Sequence, residues 1–187
     1  MSKTRENSLV KNFKGKFGEQ FVYKTVDGIT VLAKLPKRSN NPPTEAQEEV
    51  RERFSMAADW AKNVLKNPDT LAAYAAKAEG TRTPYILALT NYLKPPKIKE
   101  FDPTGYHGHV GDQIKAKAWD SFEIRSVTVR ITDASGTVLE KGACIHDTET
   151  REWIYTATTE VSDLTGVVVS AEAKNRPNHT ATVHVTL

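Results

Sequence analysis

The residues in this chain that are best suited to metal binding are its five histidines. His107 and His109 flank a glycine, so an extended backbone would place both imidazoles on one side. Asp102 or Asp112 would add a carboxylate, a ligand that divalent metals accept beside imidazole. The alternative is a pair of hydrogen-bonded or solvated histidines in a loop. We favour that alternative and predict no metal site and no cofactor.

Nucleophilic catalysis needs a Ser, Thr or Cys beside a histidine that an acidic side chain orients. The sequence contains no Gly-x-Ser-x-Gly run, the pattern that exposes a serine on a sharp turn. Cys144 and His146 would share one face of a predicted strand, but no third group accompanies them. We therefore predict that the protein is not an enzyme and that Cys144 is a small buried hydrophobic residue.

Exposed aromatic rings would serve a binding function instead of a catalytic one. If the β-rich half of the chain recognises a glycan, the expected ligand-binding residues are Trp119, His107 and His109. Trp153 and Tyr155 are expected to fill the core, because large aromatic side chains are buried on average.

Phenylalanines alternate with lysines near the N-terminus, at Phe13, Phe17 and Phe21. Proteins that bind single-stranded nucleic acid share this composition. A packed β-hairpin has the same pattern, so we do not predict nucleic acid as a partner.

Residues 15–35 predict a β-hairpin on which the remaining interpretation depends. Two apolar-rich runs flank Asp27-Gly28, a pair that supplies the positive φ angles of a two-residue turn. Neither face is fully polar, and an isolated two-stranded ribbon leaves two unpaired edges. We expect the ribbon to dock on the helices that follow or on another subunit. The expected subunit contacts are Phe17, Phe21, Tyr23, Val26, Ile29, Val31 and Leu35.

Helical signals occupy residues 44–93. Thr44 and Gln47 form a capping box that opens a helix of about twenty residues, with an apolar stripe that includes Val50, Phe54 and Ala61. Asn67-Pro68 and Thr83-Pro84 start two further helices. We predict a flexible basic arm over residues 1–14 and a hairpin and helical module over residues 15–94.

From residue 98 the hydrophobic period changes from 3.6 to 2. Seven short strands are predicted near residues 98–101, 112–119, 124–133, 138–141, 151–157, 167–174 and 180–187. The fold class is therefore α+β, with a seven-stranded antiparallel β-sandwich over residues 95–187.

Several runs carry a resemblance to a family: Gly111-Asp112-Gln113-Ile114, Val127-Thr128-Val129-Arg130-Ile131, Trp153-Ile154-Tyr155 and Val169-Ser170-Ala171-Glu172-Ala173. They resemble immunoglobulin-like modules of bacteria and phages, although the chain lacks the cysteine pair of antibody domains. The N-terminal Gly15-Lys16-Phe17-Gly18 run and Asp27-Gly28 turn are similar to uncharacterised proteins of Bacteroidetes and their phages. The first resemblance implies a role in a phage particle, and the second implies no activity.

Charge is distributed unevenly along the chain. Residues 1–97 carry 17 Lys and Arg against 10 Asp and Glu, which gives +7, whereas residues 98–187 carry 9 against 13, which gives −4. Such polarity suits either an anionic partner or head-to-tail association with another copy. No long apolar segment or signal-like start is present, so we expect no membrane span and no Sec signal peptide.

These observations favour a non-enzymatic, self-assembling structural protein of a phage virion, a prophage-derived particle or a filament. Its expected partners are other copies of itself and other structural proteins of the particle, and its expected location is the virion or an assembly made in the cytoplasm. The alternative is a recognition module that binds a glycan or a host protein through the β-sandwich.

Overall fold

The computed structural model describes residues 2–4, 13–26, 28–36 and 41–187, and of residues 2–4 it describes the backbone alone. Within these ranges the fold is α+β, with three helices and three four-stranded antiparallel sheets. Internal contacts divide the chain into two compact units, residues 1–49 and residues 50–187. The boundary predicted from the sequence lies after residue 94.

The first unit contains a sheet with the strand order β1-β4-β3-β2. Its strands are β1 (Ser2–Thr4), β2 (Gly15–Phe17), β3 (Phe21–Val26) and β4 (Ile29–Lys34). The β3–β4 pair is the predicted hairpin, and Gly28 in its turn has a φ of 76°. Asp27, the other predicted turn residue, lies outside the described residues.

The ribbon is not two-stranded, in contrast to our expectation. β2 pairs with β3 and β1 pairs with β4, so both edges of the hairpin are hydrogen-bonded within the chain. Residues 2–4 belong to the stretch that the sequence predicted as a basic arm, and residues 5–12 of that arm lie outside the described residues. Strand pairing by residues on either side of the hairpin removes the unpaired edges from which we argued.

Three helices follow: α1 (Glu45–Val64), α2 (Pro68–Ala76) and α3 (Pro84–Leu93). The predicted caps are confirmed. Gln47 N–H and Thr44 Oγ1 lie 3.4 Å apart in the capping box, and Asn67 and Thr83 accept hydrogen bonds from the first turns of α2 and α3.

The predicted apolar stripe of α1 is buried only in its C-terminal half. Ala57 and Ala61 are fully buried, whereas Val50 and Phe54 are 68% and 52% exposed. Periodicity identifies the residues that share a helix face, but it does not show how far along that face a packing partner extends.

The second unit also contains two sheets, with the orders β5-β6-β10-β9 and β12-β11-β7-β8. Their strands are β5 (Lys97–Asp102), β6 (Gln113–Trp119), β7 (Ile124–Thr132), β8 (Val138–Ala143), β9 (Ile145–Asp147), β10 (Glu152–Thr156), β11 (Val168–Asn175) and β12 (Thr180–Thr186). All seven predicted strands are present, and β9 is an eighth. It is only three residues long, too short for alternation to reveal it.

The apolar residues of both sheets form one core. Alternation along the central strands β6, β7 and β11 directs one side chain in two inward. The fully buried side chains of this core include Ile114, Val127, Val129, Ile131 and Val169. Because inward residues of both sheets belong to the same cluster, the two sheets pack in a sandwich-like arrangement.

A polar network joins α2 and α3 to the turns at one end of this sandwich. Asp120 Oδ1 accepts hydrogen bonds from Asn91 Nδ2 at 2.6 Å and from Phe122 N–H at 2.8 Å. Its Oδ2 accepts from Asn175 Nδ2 at 3.0 Å. Asn91 and Asn175 are both fully buried, so one carboxylate satisfies two amides that have no access to water.

Aromatic packing reinforces the same junction. The rings of Tyr74 and Phe122 stack with their centroids 3.9 Å apart, and Tyr74 donates a hydrogen bond to Asn91 Oδ1. Arg176 lies within 5.9 Å of both ring centroids and forms an ion pair with Glu123 at 2.7 Å. Burial raises the pKa of Tyr74, so the phenol remains a neutral hydrogen-bond donor.

We predict that Asp120→Ala lowers the free energy of unfolding by about 3 kcal/mol, because the buried Nδ2 groups of Asn91 and Asn175 lose their charged acceptor. Urea denaturation followed by circular dichroism measures the loss. Asp163→Ala is the control, since Asp163 is exposed and caps only its own turn through Thr165 N–H. Equal destabilisation by the two variants would contradict the role of Asp120.

Candidate functional site

The clearest exposed apolar surface is one side of the N-terminal sheet. Phe17 lies opposite Phe21 across β2 and β3, and Tyr23 follows two residues later on the same side. Phe13 packs on Tyr23 with ring centroids 5.8 Å apart at an interplanar angle of 87°. We call these four residues the aromatic face.

The phenylalanines of the aromatic face are accessible. Phe13, Phe17 and Phe21 are 52%, 61% and 39% exposed, while Tyr23 is half-buried. Phe17 also contacts Tyr23 edge-on at 5.8 Å, so Tyr23 fixes the position of two neighbouring rings. Edge-to-face contacts of this kind stabilise aromatic clusters beyond the area that they bury.

The predicted subunit contacts do not form a single surface. Val26 pairs with Ile29, and these residues lie with Val31 on the side opposite the aromatic face. Val31 is only 2% exposed, and Leu35 follows β4 and is half-buried. The two-residue turn pairs residue 26 with residue 29, so odd-numbered residues of β4 share a face with even-numbered residues of β3. The length of the turn alone thus predicts that Ile29 and Val31 lie on the side opposite Phe21 and Tyr23.

Phe13 was missing from the predicted subunit contacts. Its odd number gives it the same parity as Phe17, Phe21 and Tyr23, which is the signal that would have included it. Lys16 and Lys24 have the opposite parity, and their partners Val22 and Val31 lie on the other side of the sheet. Lys34, by contrast, pairs with Phe21 and lies on the aromatic side, so one lysine accompanies the rings where a nucleic-acid platform requires an interleaved series.

Trp119 and the two histidines lie at opposite ends of β6. Trp119 is the last residue of that strand and is 43% exposed, with Lys99 Nζ 5.6 Å from its ring centroid. His107 and His109 precede the strand, which spans roughly 20 Å at about 3.3 Å per residue. The predicted ligand-binding set therefore does not converge on one ligand.

The loop of His107 and His109 is held by backbone contacts. Asp112 Oδ2 accepts hydrogen bonds from the backbone N–H groups of His107 at 2.7 Å and His109 at 2.9 Å, and these bonds lower the pKa of Asp112. Gly108 has a φ of 89°, and a Cβ there would collide with the Val161 carbonyl oxygen. Within the described ranges, no group of three or more His, Cys, Asp or Glu side chains is arranged to hold a metal ion.

Cys144 lies in the sandwich core, as predicted. The chain crosses between the two sheets here: Cys144 N–H donates to Val127 O, and Ile145 then pairs with Ile154. His146 is exposed and packs on Trp153 at 4.7 Å. Burial raises the pKa of Cys144 to about 12, so the thiol is a poor nucleophile at neutral pH.

We predict that the Cys144 thiol reacts with a soluble disulfide reagent at pH 7.5 at least about 100-fold more slowly in the folded protein than in denaturant. The chain has one cysteine, so the absorbance of the released reagent reports this site alone. Reaction in buffer at the rate found in denaturant would show that the thiol is accessible.

Glu140 is a second titratable group in the sandwich, 7% exposed. Its Oε1 accepts hydrogen bonds at 2.6 Å from Tyr155 OH, Thr158 N–H and Thr158 Oγ1. Burial opposes ionisation, but the bonds from Thr158 and Tyr155 outweigh it and hold the pKa of Glu140 below its usual value. The carboxylate is therefore an anchor for residue 158 and a poor general acid at neutral pH.

A group with a depressed pKa stabilises the fold above its unfolded pKa and loses that contribution as the pH falls through the folded pKa. We predict that Glu140→Gln costs about 1–2 kcal/mol at pH 7, because the hydrogen bonds lose their charge. The difference between the two proteins should shrink below about pH 4. Urea titrations at pH 7, 5 and 3 test this, and a constant difference would contradict it.

A polar cleft of about 560 Å³ opens between the loop after β7 and the loop before β11. Two of its carboxylates support their own turns, since Asp133 Oδ1 accepts from Ser135 and Thr137, and Asp163 Oδ1 accepts from Thr165 N–H. The third, Glu160, has an Oε1 atom 3.9 Å from His109 Nδ1. No histidine lines the cleft. Its serine and threonine hydroxyls therefore have carboxylates, and no imidazole, among the residues that line the cleft.

No protein-family model, curated protein or solved structure matches this chain. None of the helices in the described part of the chain has the length and apolar character needed to cross a membrane. The geometry of the aromatic face and of the sandwich is therefore the basis for a functional interpretation.

Proposed function

We propose that this chain is a non-enzymatic, self-assembling structural protein whose copies associate through the aromatic face. The observation that carries this proposal is the exposure of Phe13, Phe17 and Phe21 on one side of a single sheet. Scattered exposed apolar residues are normal in monomers, but contiguous aromatic patches mark interaction surfaces. Aromatic residues are also enriched at interfaces between proteins.

The energetics favour a second copy as the partner. Full burial of a phenylalanine side chain contributes about 1.5–3 kcal/mol, and these rings are already partly covered. Two aromatic faces packed together would bury the same residues from both copies, so a gain of several kcal/mol is available before the cost of association. Micromolar association needs a net gain of about 8 kcal/mol, so the rings would have to act together with other contacts, such as main-chain hydrogen bonds and opposite charges.

The sheet architecture changes the contact mode that the sequence suggested. Strand addition to the edges of the β3–β4 ribbon is blocked, because β1 and β2 already pair there. Face-to-face packing of the aromatic surface remains open. Among the described residues β2 has β3 as its one partner, so the outer edge of β2 would supply main-chain hydrogen bonds to a neighbouring copy.

Packing of one aromatic face on another is isologous and closes a dimer. Extension beyond a dimer needs a second, head-to-tail contact, which the polarity of the chain supports. Residues 1–97 are basic and residues 98–187 are acidic. A contact between the basic part of one copy and the acidic part of the next is heterologous, and such contacts generate rings or filaments. A virion or another particle built from repeated subunits is the setting that we propose for this protein, with other structural proteins of the particle as further partners.

We further propose that the sandwich is immunoglobulin-like. In that fold one sheet contains strands A, B, E and D, and the other contains C, F and G with C′ added in variable-type domains. If β5 to β12 are lettered A, B, C, C′, D, E, F and G, the orders β5-β6-β10-β9 and β12-β11-β7-β8 match this arrangement. The match supports the resemblance to modules that occur in phage particles.

We predict that the purified protein forms oligomers at concentrations of tens of micromolar. Phe17→Ser should raise the dissociation constant at least about tenfold and so favour the monomer. Phe17 is the most exposed ring of the aromatic face. Size-exclusion chromatography with light scattering, over a range of concentrations, measures the effect.

Phe54→Ser is the matched control, because Phe54 is a 52% exposed phenylalanine on α1. It should leave association unchanged. Circular dichroism verifies that both variants remain folded. A wild-type protein that stays monomeric at every concentration, at low and at physiological salt, would refute the proposal, and so would equal loss of association in both variants.

A further inference from the structure

A row of polar side chains crosses the outward side of the sheet β12-β11-β7-β8. The register places Lys141 directly opposite Arg130, Arg130 opposite Ser170, and Ser170 opposite His184. Four adjacent strands each contribute one residue. We call Lys141, Arg130, Ser170 and His184 the cationic row.

The two charges at one end of this row are close together and form no ion pair. Side chains directly opposite each other in an antiparallel pair have Cβ atoms about 4.5–5.5 Å apart, and like charges in this position are destabilising. Arg130 and Lys141 are exposed, and neither forms an ion pair with a described residue. Glu172 lines the same depression as the two cations, and one carboxylate beside two cations leaves a positive charge that a bound anion would neutralise.

The surface around the row has the shape and chemistry of a small binding site. A depression of about 170 Å³ is lined by Thr128, Arg130, Lys141, Ser170, Glu172 and Thr182. The hydroxyl groups donate and accept hydrogen bonds, the two cations bind an anionic group, and the Glu172 carboxylate accepts from hydroxyl donors. The site therefore suits a ligand that carries both a negative charge and several hydroxyl groups.

We propose that this face of the sandwich binds an anionic saccharide, with its carboxylate or sulfate group between Arg130 and Lys141 and its hydroxyl groups on Glu172 and the neighbouring threonines. A nucleic acid fits less well, because Glu172 would repel its repeated phosphates and no aromatic side chain lines the depression for base stacking. Recognition here is independent of assembly through the aromatic face. It also moves the ligand site away from Trp119, His107 and His109.

Amide chemical shifts of the isotope-labelled full chain provide the test. The probes are an oligogalacturonide, a sulfated heparin tetrasaccharide, a neutral maltotetraose, sodium sulfate and a single-stranded DNA oligonucleotide. We expect at least one of the two anionic saccharides to shift the amides of the cationic row, and we expect maltotetraose to leave them unchanged.

Variants assign the roles of the side chains. Arg130→Gln should weaken saccharide binding at least tenfold, while its unfolding midpoint stays equal or rises because the like-charge pair is removed. Arg125→Gln is the matched control, since Arg125 is exposed on the same strand and does not line the depression; its binding should change less than twofold. Glu172→Gln should weaken the binding of the saccharide but strengthen the binding of inorganic sulfate. The carboxylate accepts hydrogen bonds from hydroxyl groups and repels a bare anion.

Several outcomes would overturn the proposal. Equal binding of maltotetraose would remove the role of charge, and sulfate binding as tight as that of both saccharides would reduce the site to one for simple anions. Stronger binding of the oligonucleotide would assign the face to nucleic acid. The absence of any shift with both saccharides at millimolar concentration would leave no saccharide site.

Discussion

The constraint on which this structure depends is the two-residue repeat of extended backbone, combined with the register between neighbouring strands. In the second unit the repeat directs Val127, Val129 and Ile131 into the core, and the same repeat places Arg130 on the outer side. Register then decides which outward residues meet. Lys141 and Arg130 are eleven positions apart in the sequence, yet the β7–β8 pairing makes them direct neighbours. The core and the proposed binding face are therefore two results of one constraint.

The Asp120 carboxylate connects several elements at the end of the sandwich that lies beside the helices. Asp120 stands in the connection between β6 and β7, where it holds amides from α3 and from the end of β11. Both amides are buried, so their alternative is an unpaired donor in an apolar environment. Apolar contacts have no preferred direction. The directional hydrogen bonds select one arrangement, which explains why a polar network lies beside the stacked rings of Tyr74 and Phe122.

The sequence predicted the elements well because their signals are local. Caps at Asn67 and Thr83, the turn at Gly28 and seven alternating strands all come from short stretches of chain. It predicted the surroundings of those elements poorly. The strands that flank the hairpin are three residues long. The N-terminal half of the α1 stripe is exposed because tertiary packing does not extend to it. Neither has a local signature.

Candidate sites were harder to predict for a related reason. Trp119, His107 and His109 are attractive by residue type, but a site requires convergence, and one strand of seven residues separates them. The cationic row is made of ordinary polar residues, and none of them is notable in the sequence. The row becomes apparent only when four strands align and two positively charged side chains become adjacent. In a β-rich protein of this kind, a binding surface is formed by side chains that are neighbours across strands. Strand register therefore carries information that composition and spacing along the chain do not.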